Sequence, residues 1–264
     1  MSAVAVYSEK YFLSAGEANA EQELSLPVLA TKIIDIATAH ANSLGIGNPD
    51  MADIHSGWVL SRLTIEMERY PKVNDTYGIE TWVEGWNRHF SQRAFRIFDE
   101  KGATLGYARS IWMVFDTLTH QNVGLSHLHL PEGIIMEKEC PIDRQRPHIP
   151  ILPSPSDGHE LPKNALTATV APSFYTFRYC DLDSYRHVNT VRYIDALLNQ
   201  FPLERYDSHI LRRLELSFLH EGAYGMTVRI MRHDFTDRPS SALSVCNAAD
   251  GGMILFSRFT FRPR

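Results

Sequence analysis

Side chains capable of acid–base chemistry are densest in one short stretch of the sequence. This stretch holds Asp181, Asp183 and His187, and the amide side chain of Asn189 follows. It lies between a predicted strand and a predicted helix, and Asn189 is a good N-cap for that helix. Free N–H groups at a helix start can bind an oxyanion, and a nearby carboxylate can orient or deprotonate water. The same residues could instead build only a turn and a cap, with His187 in solvent.

A second acid of interest follows an alternating segment of the chain. Leu214 and Leu216 alternate with Arg213 and Glu215, which predicts a strand with one buried face. Glu221 comes just after this strand. Such a residue is usually a solvated charge at the strand end, so it gains interest only together with the acidic stretch.

The chain contains an internal repeat, because each half runs strand, helix, then several strands. The first predicted helix follows Pro27 and ends near Gly45; the second ends before Pro202. Hairpins are predicted at residues 99–102 and 250–252. The repeat predicts an α+β protein of two units, each an antiparallel sheet wrapped around one helix. The predicted apolar helix positions are Leu29, Ile33, Ile36, Ala37, Ala41 and Leu44, then Val191, Ile194, Leu197, Leu198 and Phe201.

The two copies of the repeat differ in chemistry. In the first half, residues 14–17 are expected to take the place of the acidic stretch, and residues 70–72 the place of Glu221. Neither segment offers the same set of an acid, a histidine and a second acid. Catalytic residues are therefore expected in the second copy alone.

A proline-rich stretch separates the halves. Because proline removes an N–H donor and fixes φ, this stretch is predicted to be an extended linker. We therefore expect an N-terminal unit at residues 1–125, a linker at 126–164 and a C-terminal unit at 165–264. The prolines on which the linker rests are Pro131, Pro141, Pro147, Pro150, Pro153, Pro155 and Pro162.

The amino-acid composition of the chain excludes several classes of protein function. The chain has 264 residues, 44% of them hydrophobic, and a net charge of −5, which argues against a general nucleic-acid binder. No stretch approaches the ~20 consecutive apolar residues of a membrane helix, and no secretory signal is evident. Cys140, Cys180 and Cys246 make no metal-type pair or disulfide framework, so they are expected to be packing residues in a reducing cytoplasm.

Residues 181–194 resemble the signature of the plant and bacterial acyl-acyl-carrier-protein (acyl-ACP) thioesterases, which have a double hotdog fold. In the first half, residues 58–66, 69–71 and 79–83 are similar to the N-terminal unit of that family. The motifs cover nearly the whole chain in the family's order. The resemblance implies two tandem hotdog units and hydrolysis of fatty acyl-ACP to free fatty acid and carrier protein, without a cofactor or metal.

The resemblance also implies site residues. The family's catalytic Asp, His and Glu fall on Asp183, His187 and Glu221, whereas its Asn falls on Tyr185 and its Cys on Gly222. Without that Cys, a papain-like thiolate mechanism is not expected. We expect water-mediated hydrolysis instead. Either acid could be the base or could attack directly, with His187 orienting the carboxylate or donating to the leaving group. The groups expected to hold the oxyanion or the thioester carbonyl belong to Tyr185, Val188 and Asn189.

An apolar slot for the acyl chain is implied between the helix and sheet of the N-terminal half. A local excess of arginine suits an acidic carrier, or coenzyme A in its place. The sequence also allows a hotdog hydratase or dehydratase and a non-catalytic acyl-binding protein. Two fused units could act as a monomer, and a homodimer is also possible. The expected slot residues are Ile33, Ile34, Ala37, Trp58, Leu60 and Trp82, and the expected docking residues are Arg186, Arg192, Arg205, Arg212 and Arg213.

Overall fold

The computed structural model describes residues 4–119, 121–128, 131–145, 166–236 and 238–264. The chain divides into two compact units, Met1–Asp143 and Arg144–Arg264. Most of the predicted linker, including Pro147, Pro150, Pro153, Pro155 and Pro162, lies outside the described residues. The limits of that linker therefore stay a prediction.

The described part of the first unit is an antiparallel sheet in the strand order β1-β3-β4-β5-β2. The predicted hairpin joins β4 to β5, with Gly102 at a φ of 83° in the turn. The helices are α1 (Leu26–Ser43) and α2 (Asn48–Ala52). The strands are β1 (Val6–Phe12), β2 (Ser56–Met67), β3 (Thr76–Trp86), β4 (Ser91–Asp99) and β5 (Thr104–Asp116).

Helix α1 confirms the predicted apolar face. Ser25 is its N-cap, Pro27 lies in its first turn, and Gly45 follows its end with a φ of 69°, a left-handed conformation that glycine adopts readily. The predicted apolar positions are all buried. Ala41, near the end of α1, and Leu44, just after it, pack with Val83 of β3. This contact attaches the helix to the sheet, as the repeat predicted.

Part of the predicted linker packs against the first sheet. The Met136 amide donates to the carbonyl of Val83 over 3.0 Å, and Ile134, Cys140 and Ile142 are buried. The Arg109 guanidinium donates to the Cys140 carbonyl over 2.8 Å. Residues 131–143 therefore belong to the first compact unit.

Trp82 corrects one expectation about the acyl slot. Because strand side chains alternate between faces, Trp82 points away from the face on which its neighbour Val83 meets α1. Trp82 is fully buried with Ala94, Cys140 and Ile142. It therefore packs under residues 136–142 and does not lie between helix and sheet.

His40 of α1 forms a buried polar contact with the sheet. Its Nε2 lies 2.7 Å from the Val4 carbonyl oxygen, and its Nδ1 lies 2.6 Å from Nη1 of Arg93. Burial lowers the pKa of His40 to about 4, and the positive charge of Arg93 acts in the same direction. The folded protein thus holds this imidazole neutral, accepting from Arg93 and donating to Val4.

His40 predicts a pH-dependent stability. Below pH 6.5 the unfolded chain protonates this histidine, whereas the folded chain does so only near pH 4. The free energy of unfolding should therefore fall as the pH drops through this window, by up to about 1.4 kcal/mol per pH unit. Urea unfolding across the window should give a smaller pH slope for His40→Gln than for the wild type. Equal slopes would contradict this account of His40.

The described part of the second unit has the strand order β8-β11-β10-β9-β6, and β7 also pairs with β9. All these pairs are antiparallel. The predicted hairpin at residues 250–252 joins β10 to β11. The helices are α3 (Thr190–Leu198) and α4 (Leu203–Ser208). The strands are β6 (Leu166–Thr169), β7 (Ser173–Thr176), β8 (His209–Phe218), β9 (Thr227–Phe235), β10 (Ser240–Asn247) and β11 (Met253–Pro263).

Helix α3 buries Tyr193, Ile194 and Leu197, and the Tyr193 ring meets Phe218 of β8 at 5.8 Å between centroids. The helix ends earlier than predicted. Phe201 lies beyond it, where the aromatic side chain packs on Phe259 and Phe261. The second unit thus repeats the arrangement of the first, with its helix held against the sheet close to the acidic stretch.

Candidate active site

The candidate site lies in the second unit, at the start of α3. A short 3₁₀ helix (Tyr179–Asp181) precedes it, and the segment after β8 runs beside it. Asp181 is buried and accepts hydrogen bonds from the Tyr175 hydroxyl over 3.0 Å and from the Arg178 amide over 2.6 Å. These bonds give Asp181 a structural role, since they tie β7 to the 3₁₀ helix.

Asp183 builds the turn that carries His187. Its Oδ1 accepts from the amide of Tyr185 over 2.9 Å and from the amide of His187 over 3.0 Å. The Asp183 amide in turn donates to the His187 carbonyl over 2.8 Å. Arg186, at a φ of 66°, closes the turn. One carboxylate oxygen of Asp183 is thereby fixed by two backbone donors.

His187 and Glu221 meet although they are distant in sequence. The His187 Nε2 lies 3.2 Å from Oε2 of Glu221, and the two side chains are 23% and 42% exposed. The backbone brings them together, because His187 pairs with Ala223 in an antiparallel bridge and the Val188 amide donates to the Gly222 carbonyl over 2.9 Å. The three predicted catalytic residues thus belong to two adjoining backbone segments.

The predicted oxyanion donors need a correction. The amide of Val188 is taken by Gly222, and the amide of Asn189 donates to the Asp181 carbonyl over 2.8 Å. Since both amides are already satisfied within the fold, neither is available to a substrate oxygen. Asn189 does confirm its predicted cap, because its Oδ1 accepts from the amide of Val191 over 3.0 Å.

Tyr185 and Cys180 both lie at the surface beside the site. Tyr185, the residue at the family's Asn position, has a side chain 41% exposed on the turn after Asp183. Cys180 is exposed as well, which corrects its assignment as a packing residue, whereas Cys140 and Cys246 are buried. Burial raises the pKa of Cys140 to about 11 and also raises that of Cys246, so both remain neutral thiols.

The first unit contains the same turn with different side chains. The Asn19 Oδ1 accepts from the amides of Glu21, over 3.2 Å, and Glu23, over 2.8 Å, as Asp183 does for Tyr185 and His187. The next amide donates to the carbonyl of Pro71, the counterpart of Gly222. Glu23 therefore stands where His187 does, and Tyr70 stands where Glu221 does.

This correspondence corrects the predicted alignment of the halves. The Glu17 carboxylate accepts from the Ser14 amide at the start of a 3₁₀ helix, as the Asp181 carboxylate accepts from Arg178. Residues 14–17 thus match residues 178–181, and the true counterpart of the turn after Asp183 begins at Asn19. The expectation that the first copy lacks the acid–histidine–acid set is confirmed by the residues at these positions.

The predicted docking arginines differ in their exposure to solvent and in their ion pairs. Arg186 and Arg192 are exposed beside the start of α3, although Arg192 pairs with Asp195 over 2.9 Å. Arg213 is largely buried against Glu215 over 2.7 Å on β8. Of the predicted set, the positive groups next to the site are those of Arg186 and Arg192. The other predicted docking residues, on α4 and β8, are Arg205 and Arg212.

The remaining slot residues lie in the core of the first unit. Ile33 and Ala37 of α1 and Leu60 of β2 are buried, and Ile34 is half-buried. The Trp58 indole donates to the Ile46 carbonyl over 2.7 Å. These side chains line the helix and sheet of the first unit, and their role toward an acyl chain stays a prediction.

Comparison with known proteins agrees with this architecture. Residues 4–125 match the acyl-ACP thioesterase N-terminal domain, and residues 166–252 match the acyl-ACP thioesterase C-terminal domain. The chain belongs to the acyl-ACP thioesterase family. An acyl-ACP thioesterase from Bacteroides thetaiotaomicron has a crystal structure that matches with a TM-score of 0.82 and 26% identity, over 98% of each chain. The family's α+β double hotdog fold is thus the fold of this chain.

The similar proteins also include plant proteins. The 12:0-ACP thioesterase from Umbellularia californica matches in structure with a TM-score of 0.78 at 20% identity, over 99% of this chain and 98% of that one. A palmitoyl-acyl carrier protein thioesterase from Gossypium hirsutum is 26% identical over 98% of this chain. The chain spans 64% of the length of that cotton protein. Among the described residues, no helix is long and apolar enough to cross a membrane.

Proposed function

We propose that this protein hydrolyses fatty acyl-ACP thioesters to free fatty acid and carrier protein. The observation that carries the proposal is the 3.2 Å contact of His187 with Glu221, on the segment paired to the turn built by Asp183. An acid, a histidine and a second acid are the groups that activate water at neutral pH. Family membership and the names of the relatives support the thioester substrate.

In the proposed mechanism Asp183 is the general base. Two backbone amides hold its Oδ1, so the carboxylate has a fixed orientation and its other oxygen can take the proton of an attacking water. Glu221 orients His187 through Nε2 and stabilises its charged form. Protonated His187 polarises the thioester and gives its proton to the departing thiolate, and the proton that Asp183 took from water then restores His187.

The oxyanion needs a donor other than the amides of Val188 and Asn189. We assign this role to the amide of Thr190, the first residue of α3, assisted by the Asn189 side-chain amide. The N-terminus of a helix favours negative charge, and one such donor typically contributes ~10²–10³-fold to the rate. Because Asn189 caps α3 through its Oδ1, its NH₂ group is not used by the cap and can donate to a substrate oxygen.

The proposal assigns the acyl chain to the first unit and the carrier to the arginines near α3. Ile33, Ala37 and Leu60 offer apolar side chains for the chain. Arg186 and Arg192 suit an acidic carrier protein, because opposite charge speeds docking. Three free cysteines fit a reducing cytoplasm. An acyl-CoA substrate is the second candidate, since CoA is also anionic.

One assay separates these candidates. The purified protein is offered acyl-ACP and acyl-CoA of matched chain length, each saturated or 2-enoyl, and release of free thiol is followed. We expect faster release from acyl-ACP than from acyl-CoA. Faster release from CoA would reassign the carrier, hydration of the 2-enoyl substrate would indicate a hydratase, and binding without turnover would indicate an acyl-binding protein.

A further inference from the structure

Three tyrosines of the second unit expose aromatic side chains to solvent beside the candidate site. Tyr179 is 83% exposed, Tyr224 is 62% exposed and Tyr185 is 41% exposed. Single exposed apolar residues are common on protein surfaces, whereas several neighbouring ones mark an interaction site. No step of the proposed hydrolysis uses Tyr179 or Tyr224, so the mechanism does not explain their exposure.

Backbone contacts make the segments of the three tyrosines neighbours. The amide of the residue after Tyr224 donates to the Phe177 carbonyl over 3.0 Å, close in sequence to Tyr179. The residue before Tyr224 pairs with His187, at the end of the turn that carries Tyr185. The exposed side chains of these adjoining segments make up one surface, the tyrosine face. The same segments carry the three proposed catalytic residues.

The tyrosine face also carries positive charge. Arg178 directly precedes Tyr179, Arg186 directly follows Tyr185, and both arginines are exposed. Within the part of the chain that the structure describes, neither arginine forms an ion pair with an acid. The acids of the site are used within it, since one is buried, one builds the turn and one contacts the histidine. This surface is therefore positive, although the whole chain has a net charge of −5.

The residue types of the tyrosine face fit an acidic protein partner. Tyrosine and arginine are enriched at the centres of protein–protein interfaces, whereas lysine and glutamate are depleted, and residues 174–200 contain neither lysine nor glutamate. The planar guanidinium of arginine also binds a carboxylate through two hydrogen bonds. A symmetric contact with a second copy of this chain would instead bring like charges together.

We propose that the acyl carrier protein docks on the tyrosine face, with Arg178 and Arg186 bound to its carboxylates and the tyrosines as the apolar contacts. This inference rests on the proposed function. Acyl-CoA carries the same thioester but has no protein surface to meet the tyrosines. The tyrosine face therefore gives the enzyme its selectivity for the carrier protein over CoA.

The test compares hydrolysis of acyl-ACP and acyl-CoA of one chain length by the double variant Tyr179→Ala/Tyr224→Ala. We expect KM for acyl-ACP to rise about tenfold with kcat unchanged, because the lost contacts bind substrate and transition state equally. The value of kcat/KM for acyl-CoA should not change. Leu203→Ala is the control, because Leu203 is 60% exposed but begins α4, beyond the far end of α3. It should keep the wild-type constants with both substrates.

A second variant, Arg178→Gln, tests the charged part of the surface. We expect KM for acyl-ACP to rise about threefold at low ionic strength, and the difference from the wild type should shrink as added salt screens the charge. A rise that did not depend on salt would contradict the assigned pairing with carboxylates of the carrier.

Two results with the folded double variant would overturn the inference alone. One is a wild-type KM for acyl-ACP, and a change from dimer to monomer with that KM would assign the tyrosine face to a second copy of the chain. The other is an equal loss with acyl-ACP and acyl-CoA, which would place the tyrosines at the thioester itself. A wild-type protein that does not hydrolyse acyl-ACP would overturn the proposed function, and this inference with it.

Discussion

Asp183→Asn should lower turnover of acyl-ACP at least ~10²-fold, because a positioned general base contributes about that much or more. Asn can still accept through Oδ1 from the amides of Tyr185 and His187, so the turn is expected to persist. What the variant loses is the second carboxylate oxygen, since an amide NH₂ cannot accept a proton. The measurements are kcat and the thermal unfolding temperature, and the latter should not change.

The chain itself supports the expectation that Asn preserves the turn. Asn19 builds the corresponding turn of the first unit with the same two backbone hydrogen bonds. Asn19→Asp is therefore a matched control, which makes the reverse change at the equivalent position and should leave turnover unaltered. Full turnover by a folded Asp183→Asn protein would remove Asp183 from the chemistry and leave it as a turn residue.

The second large effect is expected for Glu221→Gln, a drop in kcat of ~10²-fold or more. The Gln side chain keeps the size and can still reach His187, but it has no charge to stabilise the imidazolium that gives its proton to the departing thiolate. Glu221 is 42% exposed, so the change should affect folding stability little. Initial rates at saturating acyl-ACP, with an unfolding curve for each protein, give the result.

Glu204→Gln is the control for a change of net charge, because it removes one acid from the exposed part of α4. It should hydrolyse acyl-ACP at the wild-type rate. If both Gln variants lost activity equally, the effect would reflect overall charge and docking. If neither did, Glu221 would be a solvated strand-end residue and the pairing with His187 would carry no chemistry.

Local patterns predicted the elements of the fold well. The spacing of Leu29, Ile33 and Ile36 with Pro27 and Gly45 identified α1, because helical periodicity and end signals depend on nearby residues. The place of Glu221 beside His187 followed from the repeat and the family resemblance, and from no local signal. In the structure the bridge between His187 and Ala223 provides that contact.

Other features depend on contacts that no pattern in one sequence reports. The amides of Val188 and Asn189 were predicted to be free, but they donate to carbonyls of segments that come together only in the fold. The alternation of side chains along β3 was predicted, but the sequence did not show which face of that strand α1 would cover. Trp82 lies on the other face.

The central claim is that the second-unit site built around His187 performs thioester hydrolysis, and His187→Ala tests it most directly. The measurement is the initial rate of thiol release from acyl-ACP by the wild type and by the variant, at equal concentrations of folded protein. The account predicts steady release by the wild type and a rate at least ~10²-fold lower for the variant. Equal rates from the two proteins would contradict it.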